Sequence, residues 1–578
     1  MDPYLRNTMS MRRLARWTRL LAVAGVVGAA GCKSLDVTNP NAPDAETAFS
    51  DPDAIAGLVT GGFRAWANTH ESYGGSLLLS TMADAHTASW NNFNIRYYSS
   101  YGVECPERCG WVNNNLSPYR IEIEAFWYGY YSVMSSALDV LTAIRINQVE
   151  IGDEERTHIN DVGANLLQAM AMAEIAMNYD QGYAFDENVE RDANGVPQAG
   201  LVPRTEVRDS ALSEFEQTVT LIEGGDPFTT PSEWTGAVNG PTYSSAQLVR
   251  IIRTMQARLI AYFPRTAAEN TTADWGSVAT FAAGGLTSAT PFEFSYYQDG
   301  PCLTGTVVCS GVKNWGNDIT TTRVDTRLAA LIAPESQQHP WPEAAGGNPQ
   351  PSSADNRVGN GTWGPEDDFL GVGTLEEDAG AGTDFAWAEA AIFLAARGQF
   401  HQSNLGHIRY SYTAYPGYGL PSEDGTGEFP VYSPAMNDLL WAEGLIRSGG
   451  SLATAATLIN NTRVDRGGLP AASAADGVSG LLEKLQYEQE IELLGLGASP
   501  FYNRRRIDGL FPMTPRHQPV PAKELTLIGM PLYSFGGPGN PEGLAPPSAS
   551  VSAARHVRDK AKEIMALQRA SARGHRPQ

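Results

Sequence analysis

Basic residues are scarce in this chain: 41 Lys and Arg stand against 64 Asp and Glu in 578 residues, a net charge of −23. Contact with a phosphate backbone or an anionic lipid surface needs a basic footprint, so nucleic acid and a polybasic membrane contact are both excluded as the main partner. Long apolar runs are missing too. No segment holds the roughly 20 consecutive apolar residues that a membrane-spanning helix needs. Catalytic signatures are equally short. There is no G-x-S-x-G elbow and no Walker A loop, and His70-Glu71 runs on into Ser-Tyr-Gly, not into a zinc-binding H-E-x-x-H helix. Gly359-Asn-Gly-Thr-Trp-Gly364 fits G-x-G-x-x-G. It lies in an irregular acidic stretch with no expected strand before it or helix after it, so the match is chance. The nine histidines are scattered without a nucleophile beside them. Neither an enzyme nor a cofactor is expected.

What is present is a large globular body. Hydrophobic residues at 42% and charged residues at 18% exclude wholesale disorder. The 58 Gly and 36 Pro call for long irregular loops. The N-terminus reads as an export signal. Arg12, Arg13, Arg16 and Arg19 precede the apolar run Leu20–Ala30, which is too short to span a bilayer, and Ala29-Ala30-Gly31-Cys32 resembles a lipobox. Residues 1–10 contribute nothing to such a signal, which makes Met11 an alternative start. Cleavage before Cys32 removes five Arg and one Asp, taking the charge from −23 to −27. Cys32 would then carry the lipid. The other four cysteines form two close pairs, Cys105/Cys109 and Cys302/Cys309. Two local disulfides suit an exported chain. A zinc site of four thiolates is the alternative, but C-x3-C and C-x6-C are not the usual zinc knuckles.

Helix grammar recurs along the chain. Ser50-Asp51-Pro52 starts a helix with Ile55, Leu58, Val59, Phe63 and Trp66 on one face. Helices are also expected over 117–144, 161–178, 205–223, 245–262 (with Ser244 and Gln247 as a capping box), 383–397, 433–448, 451–463 and 477–496. Residues 287–382, 403–431 and 508–550 read as loop-rich. The expected organisation is a signal over 1–31, a tether over 32–49, one helical domain over 50–550 and a basic tail over 551–578. The fold class is mainly α, an irregular tetratricopeptide-like helical repeat scaffold with long loop-rich insertions near 287–382 and 403–431. Asp180 and Asp186-Glu187-Asn188 have oxygen ligands that suit calcium, yet their spacing matches no calcium loop and a solvated turn explains them.

Several stretches together resemble the SusD/RagB family of nutrient-binding outer-membrane lipoproteins. They begin with Cys32-Lys33-Ser34-Leu35-Asp36 and Pro40, and continue in Ala164–Tyr179 followed by Asp180-Gln-Gly-Tyr183. Later come Arg463-x-x-Arg466-Gly467-Gly468-Leu469-Pro470 and Tyr487-Glu488-Gln-Glu490-Ile-Glu492-Leu493. Phe501-Tyr502-Asn503-Arg504-Arg505 and His517-x-Pro519-Val520-Pro521-x-x-Glu524-Leu525 close the series. The resemblance runs from about 32 to 535. It departs at Gly495–Pro500, at the 340–382 insertion and in the tail after 550. What it implies is a surface-exposed outer-membrane lipoprotein that binds an oligosaccharide, ahead of a peptide, and delivers it to a TonB-dependent (SusC-like) transporter. A secreted helical-scaffold glycoside hydrolase and a structural or adhesion repeat protein are the alternatives.

Sugar recognition needs aromatic faces and a few polar groups carried on loops over a rigid scaffold. Two loop regions supply them: Trp90-Asn91-Asn92-Phe93 with Tyr97, Tyr98, Tyr101 and Trp111, and Tyr296, Tyr297, Trp315 and Trp341. Each also holds a cysteine pair. Trp90, Asn91, Tyr296 and Trp315 are the expected ligand-binding residues, whereas Trp66, Trp127 and Trp387 sit on helical stripes and belong in the core. Arg504-Arg505-Arg506 is expected to pair with Glu488–Glu492 and with helix ends.

Overall fold

Capping residues set the helix boundaries. The structure, a computed structural model, describes residues 51–87, 91–99, 105, 108–192, 197–300, 302, 307–316, 322–339, 349–363, 383–388, 401–410 and 426–537. The chain divides into two compact units at Asp51/Pro52, and everything below concerns the second. Cys32, Trp90, Tyr101, Trp341 and the basic tail lie outside the described residues.

The long helices are α1 (Pro52–His70), α2 (Ile121–Leu141), α3 (Glu154–Asn178), α4 (Arg204–Gly224), α5 (Ser245–Tyr262), α6 (Trp275–Ala283), α7 (Pro434–Ser448), α8 (Leu452–Arg463) and α9 (Gly477–Ile491). Asp153 caps α3, accepting from Arg156 N at 2.7 Å. Ser244 and Gln247 cap α5 reciprocally, satisfying amides that the first turn leaves without partners. Ser433 and Pro434 start α7, and Gly449 ends it at φ 77°, a left-handed position that costs glycine nothing.

Successive helices pack on one another. α1 lies against α2 and α3, α3 against α4, α5 against α4 and α6, and α7 joins α6 to α8 and α9. One large apolar core runs through them, with Trp66 and Trp127 fully buried. The C-terminal ends of α3 and α5 converge on one side chain. Arg505 donates to Met177 O at 2.9 Å, Tyr262 O at 2.7 Å and Arg516 O at 3.0 Å. Its flanking residues pair with carboxylates: Arg504 with Glu490 at 3.2 Å, Arg506 with Glu443 at 2.5 Å.

The strands among the described residues belong to small sheets that dock the insertions. Phe294–Asp299 pairs antiparallel with Thr426–Tyr432. Val358–Trp363, Phe385–Ala388 and Leu405–His407 form a three-stranded sheet. Two expectations change here. Of the helix expected over 383–397, residues 389–397 lie outside the described residues and Phe385–Ala388 is a strand, because sheet partners on both sides override the local helix propensity of its alanines. Trp387 is accordingly half-buried on that strand and not on a helical stripe. The motif from Gly359 begins inside a strand, as no phosphate-binding turn does.

Candidate ligand-binding site

The two loop regions singled out in the sequence meet on a third element. After α1 the chain makes a π-turn over Tyr73–Leu77. Tyr73 faces Phe93, from the single 3-10 turn Asn92–Asn94, and Trp315, from the short helix Gly311–Gly316. Tyr73 stacks on Phe93 with ring centres 5.1 Å apart and planes at 10°. Trp315 lies 4.6 Å from Tyr73 and 5.8 Å from Phe93, edge-on to the latter. Phe93 is 40% exposed, so part of the cluster is open to solvent.

A buried charge pair sets the Trp315 helix. Lys313 Nζ lies 2.8 Å from Glu71 Oε2 with both side chains inaccessible. Ser310 Oγ donates to the same oxygen at 2.6 Å, and Val312 N donates to Glu71 O at 3.2 Å. Burial lowers the Lys313 pKa, and Glu71 beside it opposes the shift. Gly311 permits the close approach: a Cβ there would stand 2.8 Å from Tyr73 N. The preceding loop is closed by the Cys302–Cys309 disulfide and clamped to α1 by Asn68, which donates to Val307 O at 2.9 Å and accepts from Cys309 N at 2.8 Å.

On the other side, Phe93 and Asn94 both adopt left-handed backbone, at φ 53° and 51°, which costs roughly 1–3 kcal/mol for a residue with a side chain. Asn91, one of the expected ligand residues, is exposed and shapes this turn: its Oδ1 accepts from Tyr97 N at 3.0 Å. Asn94 Nδ2 donates to Glu122 Oε2 at 2.9 Å. The second disulfide, Cys105–Cys109, lies beyond this segment. With both cysteine pairs bonded, the four-thiolate zinc site is not formed.

Tyr296 is elsewhere. It is 0% exposed, stacked on Phe429 across the strand pair with ring centres 6.2 Å apart, and belongs to the core. Strand alternation turns it inward while Tyr297 is half-buried. Tyr98 and Trp111 are also buried, and Trp111 Nε1 donates to His517 O at 2.8 Å. Phe93 and Tyr73 complete the cluster instead. Phe93 was visible in the Trp90–Phe93 run, whereas nothing local marked Tyr73.

Other polar groups have protein partners. Asp180 accepts from Tyr533 Oη at 2.9 Å, and Glu187 pairs with Arg145 at 2.9 Å. Among the described residues no group of three or more His, Cys, Asp or Glu side chains is placed to hold a metal ion. A separate cleft of about 830 Å³ lies along α9, lined by Glu335, Asp355, Arg463, Lys484 and Tyr487. Several of its charges are engaged, Lys484 with Asp476 at 2.7 Å and Asp355 with Arg357 at 2.7 Å. Its tyrosine donates to Asp355 at 2.8 Å.

No family model matches the sequence. One curated protein, a putative lipopolysaccharide heptosyltransferase 4 of Escherichia coli (strain K12), is 28% identical over 162 residues, 27% of this chain. The chain spans only 44% of that relative's length, and its activity is not carried over. Solved structures match far more broadly. A SusD superfamily protein from Bacteroides vulgatus aligns over 83% of this chain and 97% of its own, at 12% identity and TM-score 0.52. A SusD superfamily protein from Parabacteroides distasonis covers 82% and 96%, at 11% identity and TM-score 0.51. A SusD-like carbohydrate-binding protein from Bacteroides fragilis covers 79% and 87%, at 14% identity and TM-score 0.50. The chain has the SusD-like fold, a tetratricopeptide-like helical scaffold carrying loop insertions.

Proposed function

We propose that this chain is a SusD/RagB-type outer-membrane lipoprotein, anchored through lipid on Cys32, that captures an oligosaccharide and passes it to a TonB-dependent transporter. The observation that carries this reading is the cluster of Tyr73, Phe93 and Trp315, in which two disulfide-bearing loop regions present aromatic rings beside exposed Asn91 and Asn92. Aromatic faces with a few amides suit a sugar ring, which offers one apolar face and a rim of hydroxyls. Binding of that kind needs no covalent step, so the reading is a binding protein and not a hydrolase. Its support from the fold is that a structural neighbour is named as a carbohydrate-binding protein. In this reading the loops face the ligand, and the acidic body reaches the membrane through its lipid.

A glycan array on the protein lacking residues 1–32 tests the ligand class, with Trp315→Ala and Phe93→Ala beside it. Each substitution is expected to weaken binding by about 1–3 kcal/mol, as truncation of a buried aromatic anchor does. Unchanged affinity in both would remove the site. Isolating the native protein from membranes tests the partner, and recovery without any transporter would count against delivery. Loss of membrane association in Cys32→Ser tests the anchor.

A further inference from the structure

Glu122 lies in the first turn of α2, almost fully buried, with its carboxylate directed at the turn that presents Phe93. Its environment is unusual for a buried acid, because no cation among the described residues pairs with it. Asn94 Nδ2 donates to its Oε2 at 2.9 Å and to Pro118 O at 3.3 Å. Tyr98, from the same segment as Asn94, is an ionisable group that feels its charge. The Tyr98 hydroxyl is held protonated chiefly by burial and donates to Tyr119 O at 2.6 Å. The π-turn contributes Gly74, whose Cα side abuts both Phe93 and Glu122. The closing segment contributes Gln518, which donates to the Glu122 carbonyl at 3.2 Å. On its own helix, Glu124 is occupied by Arg120 at 3.1 Å, with Lys523 at 4.0 Å.

Phe93 and Asn94 need something to hold two consecutive left-handed residues, and the Asn94 amide is the link that reaches from the turn to the scaffold. We propose that Glu122 is a positioning residue for the ligand site: through Asn94 it fixes the turn that carries Phe93, firmly as a carboxylate and loosely as a neutral acid. An N–H···O⁻ bond is about twice as strong as its neutral counterpart. Burial pushes the Glu122 carboxyl up to about 7, with the Asn94 bond opposing that shift, so the change of state falls at neutral pH. This inference rests on the reading of the aromatic cluster as a ligand site. It adds a rule for that site: Phe93 is better placed, and glycan bound more tightly, above neutral pH than below it.

The test needs a readout that does not depend on the ligand. In the full chain labelled with 5-fluorotryptophan, the Trp315 resonance is identified by its loss in Trp315→Phe. It is expected to shift with a midpoint near pH 7, since Phe93 is its ring neighbour. In Glu122→Gln, which keeps an acceptor oxygen but cannot ionise, the shift is expected to vanish. A Trp315 resonance that ignores pH, or that titrates in Glu122→Gln as in the native chain, overturns the proposal. A second variant removes the link without adding strain. Asn94→Gly keeps the left-handed backbone and deletes the amide, and is expected to bind glycan about three- to tenfold more weakly above neutrality. Native affinity there overturns the proposal as well. Phe93→Ala separates the two readings: if it binds glycan normally the site assignment fails, while the fluorine titration still decides the role of Glu122.

Discussion

The helices α1 to α6 and the insertion docked on α9 are built by opposite means. In the first region apolar burial predominates, with Glu174 and Arg258 as a buried ion pair within it. Nearly every residue of α3 from Val162 to Asn178 is buried, most of them Ala, Leu, Met and Ile. In the second a small apolar core of Val324, Leu328, Phe385, Leu405 and Leu494 adjoins a dense set of charges. Arg357 meets Asp355 at 2.7 Å, Glu488 at 2.8 Å and Glu492 at 3.1 Å, all of them inaccessible. Arg409 adds a contact to Glu492 at 2.8 Å, and Arg466 pairs with Asp384. Apolar contact is non-directional and suits a regular stack of helices. An irregular insertion has no repeat to follow, and guanidinium–carboxylate pairs fix its place by direction as well as distance.

The largest expected break in this contrast is Arg357→Ala. Removing the central cation leaves buried Asp355 without its guanidinium and takes one partner each from Glu488 and Glu492, which keep Arg463 and Arg409, and should cost about 3–5 kcal/mol in denaturant unfolding. A cost near that of a surface pair would mean that water already reaches the cluster. Acid should separate the two regions next. Burial holds His86 at about 4 and His407 well below its usual value, so both are neutral in the fold. A base with a depressed pKa binds fewer protons folded than unfolded. Stability therefore falls as pH drops from about 6.5 to about 4, by up to roughly 1.4 kcal/mol per pH unit for each such histidine. Among the helices, Glu174 is held at about 2 because Arg258 and His70 outweigh the cost of its burial. Its contribution is intact above about 4.5 and lost only as pH falls towards 2. Hydrogen exchange at falling pH should thus open Leu405–His407 before α3, and simultaneous opening would erase the distinction. The smallest effect is Ile175→Val in α3, where deleting one methylene should cost about 0.5–1.5 kcal/mol by thermal unfolding.

The regular half of the molecule was legible because its signals are local. Ser50-Asp51-Pro52 and the Ser244–Gln247 capping box marked their helix starts, and the periodic stripe placed Trp66 inside. The insertion was not, because its partners are remote. Arg357 finds Glu488 and Glu492 at 131 and 135 residues' distance. Tyr296 is turned inward by a strand that begins at Thr426, so an aromatic in a loop-like stretch became a core residue. The candidate site was half legible. Trp315 and Asn91 were named, and the Trp90–Phe93 run contained Phe93, but that the two loop regions share Tyr73 is a property of the fold. The arginine run was read correctly for Arg504, which pairs with Glu490, and for Arg505 at the helix ends. Arg506 instead takes Glu443 on α7, and Arg357 occupies Glu488 and Glu492, the other two acids of the expected run.

Arg505 has a consequence for how the chain is made. Its guanidinium takes up carbonyls at the ends of α3 and α5, groups a helix terminus otherwise leaves open. A polypeptide emerging from the ribosome delivers those two helices more than two hundred residues before it delivers Arg505. The early helices can form and stack, but their C-terminal ends must wait for the last turn of the scaffold to arrive. A chain stalled before that point would hold most of its secondary structure and still have an open seam, which is where a chaperone or a protease would find it.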